Sequence, residues 1–462
     1  MILKQYYLAC LSHASYLIAD DSTRVAVVVD PQRDIDQYLA DAERLGLKIA
    51  HVALTHLHAD FLAGHLELRA RTGAEIHLGA AARADFPCRA LVDGAEIDLG
   101  GVKLVALATP GHTPESTTFA VHERGARQPA AILTGDTLFI GDVGRPDLLV
   151  SVGMNAEELA GKLYDSLRSK ILPLSDEVVV YPAHGAGSAC GKNLSKDTFS
   201  TLGVQKATNW ALQPIPRADF IAELCKAQPS APAYFAFDAD LNRRSRPTLD
   251  EVLEEALRPL PLAELLRLAN AGAVVLDTRE PDDYARGHLR GSLNIGLSGK
   301  YANWAGELLR PDQPIVLVAP SGREREAAVR LGRIGFDRVV GFLEGGLEAS
   351  GAASDPTLWA AHPRWQAAAL RQRLAEPAPP LVVDVRAQSE WDAGHLEGAV
   401  HLPLPRLHAL AASLPRDVDL VLQCQGGYRS SIAASLLESQ GFTRLSDLIG
   451  GWNAWSAQTC TK

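Results

Sequence analysis

Short apolar runs punctuate the first 250 residues: Arg24 to Val29, Ile49 to Leu54, Lys103 to Ala108, Ala130 to Leu133 and Glu177 to Tyr181. Runs of this length, rich in Val, Ile and Leu and bounded by turn residues, predict β-strands. Most of them end in His, Asp or Gly. A polar residue just past a strand is held by a rigid sheet edge yet stays reachable from solvent, which suits a metal ligand. From about residue 255 the texture changes, with β-branched runs alternating with helical patterns such as Arg323 to Gly335 and Ser430 to Gly441. That alternation predicts parallel sheets wrapped by helices.

The second texture occurs twice. V-V-L-D-T-R (Val274 to Arg279) and G-H-L-R-G-S (Gly287 to Ser292) return as L-V-V-D-V-R (Leu381 to Arg386) and G-H-L-E-G-A (Gly394 to Ala399), with ten residues from Asp to Gly in both copies. Ile315 to Gly322 likewise matches Leu420 to Gly427, and E-G-G-L (Glu344 to Leu347) matches G-G-W (Gly450 to Trp452). The copies are about 105 residues apart, a domain-sized period rather than a solenoid one. Linkers are expected at Ala227 to Pro232 and at Ser350 to Pro356, with Ala375 to Pro380 a loop inside the last copy.

Composition narrows the choices. At 462 residues and 47% hydrophobic content, the chain suggests about three domains. A net charge of −10, with basic and acidic residues interspersed, offers no footprint for nucleic acid or an anionic membrane, so a small-molecule partner is expected. Lys4, Gln5, Ser12, His13 and Ser15 interrupt the first apolar stretch, which excludes a signal h-region there and leads to the expectation of a cytoplasmic protein. The cysteines, Cys10, Cys88, Cys190, Cys225, Cys424 and Cys460, form no C-x-x-C pair and no disulfide framework.

Four strand ends carry candidate ligands: His56, His58 and Asp60 in T-H-L-H-A-D-F, His112 in T-P-G-H-T-P-E-S, Asp136 in T-G-D-T-L-F and His184 in Y-P-A-H-G. Any one alone reads more simply as a capping or buried polar residue. Together and in that order they resemble the metallo-β-lactamase superfamily over roughly residues 1 to 245. The resemblance implies an αββα sandwich for residues 1–250. The superfamily writes its first motif H-x-H-x-D-H; here the last position is Phe61, so a second metal loses a ligand. His65, four residues on, reads as a packing or helix-surface residue. His56, His112 and Asp136 remain as two imidazoles and a carboxylate, a set that favours non-haem Fe(II), one per chain, and O2 chemistry.

G-D-V-G-R-P-D (Gly141 to Asp147) and H-G-A-G-S-A-C-G (His184 to Gly191) are similar to segments of the persulfide dioxygenases fused to rhodanese domains. This resemblance implies oxidation of a low-molecular-weight persulfide, such as that of glutathione, by O2 to sulfite and thiol. His58, Asp60 and His184 are then expected to orient ligands or bind water. Arg145 is expected to pair with a substrate carboxylate or, equally, with Asp142 or Asp147. Cys190 is either a sulfur acceptor beside the metal or an inert buried thiol.

In the last copy, Cys424 follows an apolar run and opens C-Q-G-G-Y-R before a helical pattern. Backbone N–H groups of such a loop, the helix N-terminus and Arg429 would favour a thiolate or persulfide anion. This resembles a rhodanese active loop, with the four residues between Cys424 and Arg429 that sulfurtransferases use. In the earlier copy Ala319 and Glu324 occupy the aligned Cys and Arg positions, so no persulfide can form there.

The expectation is therefore a metallo-β-lactamase-type domain at 1–250, a degenerate rhodanese-type α/β domain at 255–352 and an active one at 360–462. Sulfite, thiosulfate and persulfide are the expected partners, and a homo-oligomer is left open. The rivals are a thioester hydrolase of the glyoxalase II type and a non-oxygenating sulfur carrier.

Overall fold

The computed structural model describes residues 1–148, 153–226, 228 and 231–457. The chain divides into two compact units, Met1–Glu251 with Gly332–Gly335, and Val252–Leu331 with Phe336–Lys462. Among the described residues no helix is long and apolar enough to cross a membrane.

The first unit is built on two six-stranded sheets. One runs Ile2–Leu8, His13–Ala19, Val25–Val29, Lys48–Ala53, Glu75–Gly79, Arg89–Leu91, antiparallel over its first three strands and parallel thereafter. The other runs Ser200–Thr201, Val179–Pro182, Ala131–Gly135, Thr117–Glu123, Val102–Ala108, Glu96–Asp98. Because side chains alternate along a strand, Ala14, Tyr16 and Ile18 of one sheet meet Leu104, Phe119 and Leu133 of the other in a shared core. Each large apolar side chain so enclosed stabilises the fold by about 1.5–3 kcal/mol. The outer face of the second sheet buries Ala120, Ile132 and Val180 against Leu163 of the helix Ala156–Ser166. The helix His65–Thr72 packs on the strands Lys48–Ala53 and Glu75–Gly79 of the first sheet. The result is the expected αββα sandwich, with apolar runs on both faces of its central strands.

The second unit holds two five-stranded parallel sheets of identical connectivity. The earlier runs Pro259–Leu260, Val339–Leu343, Ile315–Val318, Val274–Asp277, Leu293–Asn294, and the later Arg364–Trp365, Leu445–Leu448, Leu420–Gln423, Leu381–Asp384, Val400–His401. The fixed Asp-to-Gly spacing has a geometric cause. Arg386 binds Asp384 Oδ2 at 2.8 Å and the Gly394 carbonyl at 2.7 Å, and Arg279 does the same with Asp277 at 2.6 Å and Gly287 at 2.9 Å. A Cβ at Gly287 would stand 1.8 Å from the Trp359 ring, so only glycine fits.

The sequence-predicted strands lie within two residues of their apolar runs, and the two helical patterns appear as Glu324–Gly332 and Tyr428–Ser439. Ser350 to Pro356 contains the short turn Ala352–Ser354, and Ala375 to Pro380 connects the helix Ala367–Leu374 to the strand Leu381–Asp384. Cys460 and part of the linker expected at Ala227 to Pro232 lie outside the described residues.

Candidate metal centre and sulfur-transfer loop

The candidate ligands of the first unit follow its strands directly. His56 and His58 come after Lys48–Ala53, His112 after Val102–Ala108, Asp136 after Ala131–Gly135 and His184 after Val179–Pro182, and all are buried. Nε2 of His56 and Nε2 of His112 lie 3.8 and 3.5 Å from Asp136 Oδ2, which is itself buried without a hydrogen-bond partner. Donor atoms each about 2 Å from one ion stand roughly 3–4 Å apart, so these three residues fit a shared metal.

The far sides of both rings are tied down. A carbonyl can only accept, so His112 Nδ1–H donates to the Arg145 carbonyl at 2.8 Å and turns the Nε2 lone pair inward. Thr55 Oγ1 donates to Asp30 Oδ2 at 2.8 Å, which leaves it to accept from His56 Nδ1–H at 3.0 Å. Gly144 passes beneath the site, where a Cβ would come within 2.0 Å of the Asp136 carbonyl. This is the physical reason for a glycine in G-D-V-G-R-P.

His58, Asp60 and His184 converge as a second group. Their nitrogens already face carboxylates. His184 Nδ1 donates to Asp136 Oδ1 at 2.7 Å, its Nε2 lies 2.9 Å from Asp60 Oδ2, and His58 Nε2 lies 3.0 Å from Asp30 Oδ1. The Phe61 ring fills the space beside them, its centroid 4.4 Å from that of His58 and 3.9 Å from that of His13. His65 is buried against Phe86, a packing role.

Electrostatics follow this geometry. Burial opposes ionisation of Asp136, but His184 and His56 outweigh it and hold the carboxyl well below its usual range. Burial and then His58 push the His56 imidazole toward its neutral, ligating form. Burial would also neutralise His184, but Asp136 and Asp60 hold it well above the usual imidazole value. Burial pushes the Cys190 thiol up, and Asp60 and Asp136 add to the shift. Asp136, His184 and Cys190 bring potential ligand atoms within 4.8 Å of one another, so Cys190 adjoins the candidate centre. The Arg145 guanidinium is gripped by Asp147 through two bonds of 2.7 Å. Its backbone carbonyl, rather than its charge, reaches the His112 ring. A cavity of about 350 Å³ opens beside it, lined by Arg145, Lys192, Asn193 and Trp210 among others.

In the second unit, Cys424 is buried at the end of the strand Leu420–Gln423. The Gly427 N–H donates to its Sγ at 3.1 Å, a conformation that Gly427 reaches at φ 93°. Ser430 Oγ lies 3.7 Å from the sulfur and donates to Asp447 Oδ2 at 3.1 Å. Arg429 is forked onto Glu390 by two bonds of 2.7 Å. The groups touching the sulfur are thus a backbone amide and a serine. The earlier copy, with Ala319 in place of the cysteine, grips the helix that follows: Tyr428 donates to the Gly296 carbonyl at 2.6 Å, and Ser431 Oγ to Asn294 Oδ1 at 2.7 Å.

Sequence reasoning did not single out Thr55, Asp30, Glu390, Ser430, Asp447 or Tyr428. Asp30, which ends an apolar run, and Thr55, next to His56, meet the same strand-end rule. Glu390 and Asp447 are brought in only by tertiary structure.

Imidazole and carboxylate donors at the strand ends of an αββα sandwich, followed by a buried cysteine in a strand-to-helix loop, are the layout of an enzyme with a candidate metal centre joined to a sulfurtransferase-type module. The family model described as "Metallo-beta-lactamase superfamily" matches residues 8–184, and "Rhodanese-like domain" matches 261–353 and 366–458. The mitochondrial persulfide dioxygenase ETHE1 of Bos taurus is 31% identical over 188 residues, 40% of this chain and 68% of that protein. A hydroxyacylglutathione hydrolase of Rhodospirillum rubrum is 33% identical over 171 residues, 37% of this chain and 60% of that one. The crystal structure of a metallo-β-lactamase from Staphylococcus aureus subsp. aureus COL superposes with a TM-score of 0.66 at 34% identity, covering 74% of this chain and 98% of that one. The chain is an enzyme of the metallo-β-lactamase superfamily whose sequence continues into two rhodanese-like domains.

Proposed function

We propose that the chain oxidises a low-molecular-weight persulfide, such as that of glutathione, at one Fe(II) held by His56, His112 and Asp136, and transfers sulfane sulfur at Cys424. The observation that carries this reading is the set of His56 Nε2, His112 Nε2 and an otherwise unpartnered Asp136 Oδ2, beside a phenyl ring where the superfamily places a further histidine. A ferrous ion at these three residues would supply one-electron chemistry toward O2 and a soft Lewis acid for sulfur. The net reaction is RSSH + O2 + H2O → RSH + SO3²⁻ + 2H⁺.

The chain's own groups have definable parts in this. The Arg145 carbonyl and Thr55 fix both imidazoles in the tautomer that presents Nε2. The Phe61 ring crowds the adjoining histidines. His184 and Asp60, in contact at 2.9 Å, form a buried pair able to hold a proton beside the reacting sulfur. In the rhodanese-like domain at 360–462, the Gly427 amide supports a sulfur anion on Cys424. Sulfite can take sulfane sulfur from it: Cys–SSH + SO3²⁻ → Cys–SH + S2O3²⁻, with the S–S bond of the persulfide broken and that of thiosulfate formed. The domain at 255–352 serves as a buttress for the helix Tyr428–Ser439.

The converging trio His58, Asp60 and His184 favours a second reading, a two-metal thioester hydrolase. Product analysis on iron-loaded protein separates the two. With glutathione persulfide, the oxygenase forms one sulfite per O2 consumed. Hydrolysis of a glutathione thioester without O2 uptake, and no sulfite from persulfide, would replace it with the hydrolase.

A further inference from the structure

The second unit contains a cluster that neither the oxygenase nor the transfer chemistry uses. His288, His362 and Glu438 bring one potential ligand atom each within 4.8 Å of one another. They come from three separated segments: the strand His288–Leu289 of the first repeat, the connection after the strand Trp359–Ala360, and the helix Tyr428–Ser439 that follows Cys424. His288 is fully buried, and the side chains of His362 and Glu438 are 7% and 14% exposed.

The hydrogen-bonding pattern is that of oriented ligands. His288 Nδ1–H donates to the Tyr284 carbonyl at 2.8 Å, while its ring stacks on Tyr284 with centroids 3.8 Å apart. This fixes the ring and aims Nε2 at Glu438 Oε2, 2.9 Å away. The other carboxylate oxygen accepts from the Gly291 N–H at 3.0 Å. His362 Nε2 is buried with no hydrogen-bond partner, the Asp447 carboxylate lying beyond hydrogen-bond reach at 3.9 Å. An ion pair between His288 and Glu438 would account for two of these groups and leave His362 Nε2 with only a distant Asp447 carboxylate that Arg364 already binds. A shared cation accounts for all three.

The internal repeat supplies a control. His395, the counterpart of His288, also donates Nδ1–H to a carbonyl, that of Trp391 at 3.0 Å, and also stacks on its aromatic neighbour. It is exposed and belongs to none of the ligand-like clusters found among the described residues. The repeated turn therefore explains the Nδ1 bond, and the pairing of the two repeats adds the groups around Nε2.

We propose that the junction between the two repeats binds a divalent transition-metal ion of the zinc type through His288 Nε2, a ring nitrogen of His362 and a carboxylate oxygen of Glu438. Two imidazoles and one carboxylate are borderline donors suited to zinc, with the remaining position left to water. The site ties the cysteine-free repeat to the helix that starts at the Cys424 loop, so it is structural.

The test uses full-length protein, stripped with chelator, loaded with zinc chloride, desalted and counted by mass spectrometry. The wild type is expected to hold one zinc per chain more than either His362→Gln or Glu438→Gln, and the His112→Ala chain to retain that zinc. Equal zinc in the wild type and both variants overturns the proposal. Hydrogen exchange on the wild type gives an answer independent of how the variants fold. Zinc is expected to slow amide exchange in peptides covering residues 284–292 and 358–364, and unchanged exchange there overturns the site.

Discussion

Tyr428→Phe removes one oxygen atom and tests whether the cysteine-free repeat supports the transfer loop. The hydroxyl donates to the Gly296 carbonyl at 2.6 Å, in a half-buried contact between the two repeats. The ring itself stays in place over Gly299, where a Cβ would approach it to 2.4 Å. Loss of the bond, with the carbonyl left partly unsatisfied, is worth about 1–2 kcal/mol. In a unit of this size, each kcal/mol lowers the melting temperature by roughly 2–4 °C. Tyr428 adjoins Gly427, whose N–H contacts Cys424 Sγ at 3.1 Å, so the loosened anchor should reach the sulfur. The expected outcome is a kcat/KM for thiosulfate:cyanide transfer lower by roughly 5–30-fold, the kinetic equivalent of that free energy. Persulfide-dependent O2 uptake should not change. Thermal melts and the transfer assay on the same preparation check both parts. A lowered melting temperature with unchanged transfer would refute the coupling of anchor to loop.

Cys424→Ser should abolish sulfurtransfer and leave iron content and O2 uptake intact, because a hydroxyl cannot store sulfane sulfur at neutral pH; loss of both activities in folded protein would reveal an obligatory relay instead. Phe61→His should raise metal content from one to two per chain and slow O2 uptake, as counted by elemental analysis; no gain in metal would mean that Phe61 is not what excludes the second ion. Glu67→Gln should destabilise the first unit by about 3 kcal/mol, because it removes the buried negative charge that Arg33 and Arg246 bind at 3.0 and 2.6 Å. Burial alone would raise the Glu67 carboxyl above its ordinary 4.5, but Arg246 and Arg33 outweigh it and lower it. This stabilisation is therefore complete above pH 4.5 and fades as the pH falls through the depressed folded value, so urea melts of wild type and variant should converge in acid.

Much of the architecture was legible because it follows from local periodicity. The apolar runs gave the strands, and the Asp–x–Arg and Gly–His–Leu segments gave the repeat, since Arg279 and Arg386 each need an aspartate two residues back and a glycine carbonyl eight residues on. The candidate ligands were legible because each follows a strand. Their supports were not. The group that orients His112 is a backbone carbonyl, which no side chain advertises, and Glu390 reaches Arg429 from 39 residues away. For Arg145 the sequence left a substrate carboxylate and a neighbouring aspartate as equal partners, and the structure places Asp147 on its guanidinium. The His288, His362 and Glu438 cluster was invisible because it exists only once the two repeats pair.

The most direct test is simultaneous metal analysis and oxygen-electrode assay of wild-type and His112→Ala protein with glutathione persulfide. His112 Nε2 stands 3.5 Å from Asp136 Oδ2 in the His56, His112 and Asp136 set. Wild type should carry about one iron per chain and consume O2 as sulfite appears, and His112→Ala should lose both iron and uptake. Full activity with two tightly held zinc ions per chain, or O2 uptake that survives in His112→Ala, would contradict an iron-dependent persulfide dioxygenase.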